Sequence, residues 1–140
     1  MSASDPLAEG RRWLSYADDD LQAAEALLAH PEVAPRLSCF LAQQAVEKAI
    51  KAALIASGIE FPRHHNLDAL RSLLPADWKI RTAHTDLAEL TAWSVAARYP
   101  GEWPEATIDD AQSAITLANA VVTSIAMDFE AREDTHERGA

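Results

Sequence analysis

Three groups of polar residues stand where chemistry could use them. The first is Asp20, the last of three consecutive acids. At about 100° per residue it falls between Leu27 and Trp13, inside an apolar stripe, whereas Asp18 and Asp19 point outward. A buried carboxylate is costly unless it is paired or protonated. Asp20 therefore either ties two helices together through an ion pair or hydrogen bond, or serves a site as an acid or orienting group. The second group is one helical stripe of Gln43, Gln44, Glu47, Lys48 and Lys51, flanked by Phe40 and Leu54. Glu47 and Lys51 have the favourable order for a four-residue ion pair. On a peripheral helix the stripe is a solvated face; on a central helix it lines a cleft or a dimer seam. The third group lies in loops, at His64-His65 and Arg98-Tyr99-Pro100. His65 either satisfies a neighbouring backbone carbonyl or moves protons, and Arg98 either caps a helix end or meets a phosphate.

The elements that must position these groups read as helices. One runs roughly from Leu7 to Ala29, with Trp13, Ala17, Leu21, Ala24, Leu27 and Leu28 on one face, and stops before Pro31. A second runs from Pro35 to Ser57, with proline in its first turn and Gly58 as its stop. Its apolar residues cover about half its circumference, which suits a central helix or a subunit interface. Asn66 caps a short third helix ending near Leu74. A fourth is expected from Thr82 to Ala97. Arg98 to Pro104, with two prolines and a glycine, is a loop. Thr107 and Asp110 form a capping pair for a fifth helix, whose stripe includes Ile108, Ile115, Val121, Ile125 and Phe129. Residues 5–130 thus form one domain, an all-α, up-and-down bundle of about five helices, and 131–140 read as a flexible, charged, frayed tail.

Composition narrows the function. The chain has 140 residues and 49% apolar content, enough for one core without disulfide or metal. Its single cysteine, Cys39, sits in an apolar stretch and reads as a buried structural thiol. Adjacent histidines without a helical His-x-x-x-His or Glu-x-x-His pair point to no metal site, and no cofactor is expected. Phosphate loops, dinucleotide fingerprints and nucleophile elbows are absent from the sequence. A net charge of −10 argues against broad nonspecific binding to nucleic acid or anionic membrane, though not against a small basic cleft. No signal-peptide pattern opens the chain, and no apolar run is expected to approach the roughly 20 residues that span a bilayer. A cytoplasmic location without membrane contact follows. The four tryptophans are spread over separate segments, which suits core or interface positions better than base stacking.

Four blocks, in order, resemble the HEPN family over nearly the whole chain, from Trp13 to Phe129. They are Trp13, Ala17, Asp20-Leu21 and Ala24; the run from Cys39 to Ala52; His65-Asn66-Leu67 with Leu70; and Ala97-Arg98-Tyr99-Pro100. The resemblance implies a HEPN-like four-helix-bundle core that commonly dimerises. It also implies a minimal nucleotidyltransferase partner, often in a toxin–antitoxin pair whose HEPN member is a metal-independent ribonuclease. That activity depends on an arginine and a histidine with four to six residues between them. Here Arg98 is followed by Tyr99, Pro100, Gly101, Glu102, Trp103 and Pro104, Arg81 and His84 are too close, and Arg132 and His136 have too few residues between them.

The first expectation is a homodimeric or larger HEPN-type module that binds nucleotide or RNA phosphate beside its nucleotidyltransferase. Asp20, Gln43, Glu47, Lys48, Lys51, His65, Arg98 and Tyr99 would line its cleft. Lys51 and Arg98 would meet phosphate, and Tyr99 would stack on a base or take a phosphate-type modification from the partner. The second is a ribonuclease with a rearranged site, using His65 for proton transfer and Arg98 for phosphate charge. The third is a structural oligomer without ligand, its polar stripe serving as an ion-pair seam.

Overall fold

A computed structural model describes residues 5–139, with side chains placed through residue 136. Six helices occur in the order α1 (Pro6–Leu28), α2 (Pro35–Ala56), α3 (Leu67–Ser72), α4 (Ile80–Ala83), α5 (Ala88–Ala96) and α6 (Ile108–Gly139). Local chemistry explains most boundaries. Asp5 caps α1 by accepting from the Leu7 amide at 3.1 Å. The α2 helix ends in a Schellman turn: Ile59 N–H reaches Leu54 O at 2.9 Å and Gly58 N–H reaches Ile55 O at 3.0 Å. Gly58 has φ of 69°, a conformation glycine adopts without steric cost. Asn66 Oδ1 accepts from Ala69 N–H at 3.1 Å, which starts α3. Thr107 and Asp110 cap α6 reciprocally, at 3.1 and 2.9 Å.

The expected helix from Thr82 to Ala97 is broken in two. Asp68 of α3 takes the Leu87 amide at 3.1 and 3.2 Å, and Arg71 donates to the His84 carbonyl at 3.1 Å. Side chains from another element thus occupy backbone groups that a continuous helix would have paired internally. The tail also differs from expectation. From Ala131 the backbone continues as helix to Gly139. The Arg132 guanidinium lies 3.6 Å from the Trp78 ring centroid and reaches Asp77 at 2.5 Å, while Arg11 donates to Glu133 at 2.8 Å. Ala140 lies outside the described residues.

By length and composition alone, Ile108–His136 passes as a helix able to cross a bilayer, contrary to the sequence expectation. Its apolar stripe is instead packed inside the bundle, with Ala111, Ala118, Val121, Ile125 and Phe129 buried. The α6 helix contacts both α1 and α2. Cys39 is buried, and burial first, with Asp110 nearby, pushes its thiol up to about 12.

The central element is α2, which touches α1, α3, α5 and α6. Ala42, Ala45, Ala49, Ala52 and Ala53 are fully buried along it, so neighbouring helices approach its backbone closely. Gly10 of α1 marks one such close approach. A Cβ there would lie 2.7 Å from the Ala52 carbonyl oxygen and 2.9 Å from Phe129 Cζ. Alanine ordinarily favours a helix over glycine by about 1 kcal/mol. Here the overlap with a backbone atom reverses that preference. Gly10→Ala is expected to destabilise the fold by roughly 1–3 kcal/mol. A lower urea midpoint at unchanged slope is the expected result, and a raised midpoint would contradict the packing.

Candidate functional site

Because α2 is buried on most sides, its polar stripe forms a narrow strip. Glu47 is its centre, with only 6% of the residue exposed. Its Oε1 accepts from Gln43 Nε2 at 3.0 Å and contacts His65 Nδ1 at 2.7 Å, and its Oε2 accepts from Lys51 Nζ at 2.9 Å. Gln43 is fully buried, and its remaining oxygen accepts from Gln44 at 2.7 Å. Burial alone would raise the Glu47 carboxyl. Hydrogen bonds from His65, Lys51 and Gln43, with the Lys51 charge, outweigh it and hold the carboxyl below its ordinary value.

This arrangement also selects the histidine tautomer. An ionised carboxylate only accepts, so Nδ1 carries the proton and Nε2 is the acceptor when the ring is neutral. The His65 side chain is 49% exposed, so the oriented ring remains open to solvent. Phe61 of the same loop lies beneath Lys51, whose ammonium sits 5.5 Å from the ring centroid.

Asp20 and Lys48 form a second, adjacent unit, an α1–α2 ion pair at 2.5 Å. Among the two readings of Asp20, this geometry is a tie between helices. Arg98 and Tyr99 form a third unit at the N-terminal end of the stripe. The Arg98 guanidinium lies 5.6 Å from the Phe40 ring centroid and 5.4 Å from that of Tyr99. Both Arg98 and Tyr99 are exposed, and no carboxylate pairs with Arg98 among the described residues.

The structure therefore gathers Gln43, Glu47, Lys51 and His65 into one network. It keeps Asp20–Lys48 beside that network and Arg98–Tyr99 beyond it. Phe40 and Glu47 are seven residues apart, about 10 Å along a helix. No hydrogen bond joins His65 to Arg98 among the described residues. Sequence reasoning missed Phe61, because an aromatic residue in a loop has no period to show what it covers. No group of three or more potential metal-ligating side chains occurs among the described residues.

Comparison with known proteins gives a consistent result. A family model described as HEPN domain matches residues 11–128. The crystal structure of TT1696 from Thermus thermophilus is similar, with TM-score 0.74 and 26% identity, covering 85% of this chain and 97% of that one. That of ST0689, an archaeal HEPN homologue, has TM-score 0.64 and 28% identity, covering 86% and 97%. No curated protein matches the chain.

The Glu47 network has a pH signature. Its carboxyl is held below the ordinary 4.5 in the folded protein, so ionised Glu47 stabilises the fold. That contribution is fully present above the ordinary value and is lost as pH falls through the depressed one. Glu47→Gln is expected to cost roughly 1–3 kcal/mol at neutral pH. The gap between wild-type and variant urea midpoints should close on acidification below 4.5. A gap that stays constant across that range would contradict the assignment.

Proposed function

The chain belongs to the HEPN family, and from that premise we propose that it is a binding module for nucleotide or RNA phosphate. One observation carries this reading: Arg98 is an exposed guanidinium, held against two aromatic rings, with no carboxylate partner among the described residues. Such a group can meet phosphate oxygens in bidentate fashion without first losing an internal ion pair. Lys51 has a side chain only 12% exposed and is engaged by Glu47, while Lys48 is engaged by Asp20. These lysines neutralise buried Glu47 and half-buried Asp20, and Arg98 is the leading phosphate contact.

Family membership supports a minimal nucleotidyltransferase as partner, in the cytoplasm and within a toxin–antitoxin pair. Tyr99, at 56% exposure beside Arg98, is placed to stack on a base or to take a phosphate-type modification. Exposed apolar side chains such as Tyr16 and Leu37 support a homodimer. Calorimetric titration with adenine nucleotides tests the binding reading. Arg98→Ala is expected to weaken binding about tenfold or more, corresponding to a lost charged hydrogen bond, and Arg98→Lys should restore only part of it. A flat trace for the folded wild-type protein at millimolar ligand would count against the reading.

The Glu47–His65 contact favours a second reading, a metal-independent ribonuclease. A buried carboxylate that fixes one imidazole nitrogen leaves the other for proton transfer. Under this reading, the purified protein cleaves a mixed RNA pool in EDTA. His65→Ala and Arg98→Ala abolish the cleavage, and Glu47→Gln slows it by removing the group that orients the ring. Intact RNA after incubation with folded wild-type protein would remove the catalytic reading and leave the binding one.

A further inference from the structure

Beyond Arg98 lies a cleft of about 270 Å³, bounded by the end of α5, the loop before α6 and Arg36 of α2. Its wall is unusually well defined for a loop. Trp103 donates its indole N–H to the Ala96 carbonyl at 2.9 Å, using a C=O at the end of α5 that lacks an onward helical partner. A Cβ on Gly101 would fall 2.7–2.9 Å from three carbons of the indole ring, so the absence of a side chain lets the loop lie flush against it. Pro100 and Pro104 restrict the backbone on either side. Trp103 nevertheless remains 42% exposed, whereas Trp78 is fully buried in the core.

The cleft is lined by two guanidiniums and one carboxylate, Glu105. Among the described residues Arg98 faces the cleft without a carboxylate partner, and Arg36 meets Glu105 at a loose 3.7 Å, with both side chains substantially exposed. Trp93 and Tyr99 add further aromatic surface. Two guanidiniums disfavour a cationic ligand, and a polar rim disfavours a wholly apolar one. A flat indole beside two guanidiniums suits a planar ring that carries an anion on a short tether.

We propose that this cleft is a nucleobase slot, in which one unpaired nucleotide stacks on Trp103 while its phosphate meets Arg98 and Arg36. This deepens the phosphate-binding reading and rests on it. The volume of about 270 Å³ lies just below the roughly 300–1,000 Å³ usual for ligand sites, which suits one nucleotide at most. The nucleotide comes either free in solution or from a single strand of RNA.

The test is calorimetric titration of the full chain with AMP, adenosine, inorganic phosphate and a single-stranded RNA hexamer. Trp103→Ala is expected to weaken AMP about tenfold or more, in line with base–aromatic stacking. Trp103→Phe should recover most of that loss because it keeps a ring. Gly101→Ala should behave like Trp103→Ala because the new methyl displaces the indole without removing it. Circular dichroism establishes that each variant is folded, and the two milder variants decide the matter if Trp103→Ala is not. An AMP affinity unchanged in the Trp103 and Gly101 variants but lost in Arg98→Ala would overturn the slot and leave phosphate binding standing. Adenosine binding as tightly as AMP, with both sensitive to Trp103, would support stacking and overturn the phosphate contact. No binding of AMP or RNA to the folded wild type would overturn both. A hexamer much tighter than AMP, with the same Trp103 dependence, identifies the strand as the source; equal affinities identify the free nucleotide.

Discussion

A carboxylate in the middle of a buried helix must be satisfied or the helix cannot be buried. Glu47 imposes that condition here, and the surroundings of α2 follow from it. Leaving such a charge unpaired costs several kcal/mol. Its partners come from three places: one turn earlier on the helix, one turn later, and the loop beyond the helix end. The last is the consequential one. Reaching back from His65 to Glu47 directs the chain that leaves the Gly58 turn, passes Phe61 beneath Lys51, and delivers Asn66 to cap α3. Electrostatic satisfaction and chain direction are one problem with one solution.

Small residues make the solution possible. The alanines of α2 and Gly10 of α1 bring helix backbones together, so most of the α2 circumference is excluded from solvent. What remains is a strip about one side chain wide, along which charges must pair with one another rather than with water. Lys51 answers Glu47 and Lys48 answers Asp20. Arg98 does not belong to that account, because it arrives from the loop after α5 and rests on ring faces.

Features fixed by neighbours in sequence were legible from sequence. The Thr107–Asp110 cap, the Asn66 cap, the Gly58 stop and the Glu47–Lys51 pair all depend on residues within four positions. Asp20 was conspicuous because an acid in an apolar stripe needs a partner, although the spacing did not reveal that Lys48 would supply it. Contacts between distant segments left no local pattern. Asp68 and Arg71 break the expected helix at His84–Leu87, and Arg132 on Trp78 accompanies the continuation of α6. The same holds at the site. His65 was a candidate by type, but its pairing with Glu47, 18 residues away, came from tertiary structure.

The guanidinium of Arg98, without a carboxylate partner among the described residues, stands on a chain whose net charge is −10, and that contrast bears on encounter kinetics. At low ionic strength the long-range field repels any polyanion, while the attraction of a single arginine acts only at short range. Added salt screens the repulsion first, because it acts over the greater distance. A conventional basic nucleic-acid binder associates more slowly as salt rises. On the reading proposed above that order reverses: moderate salt would speed the approach of a strand, and a small nucleotide with few charges would be least hindered. On that reading the acidity of the chain would act as a filter on ligand size before any contact is made.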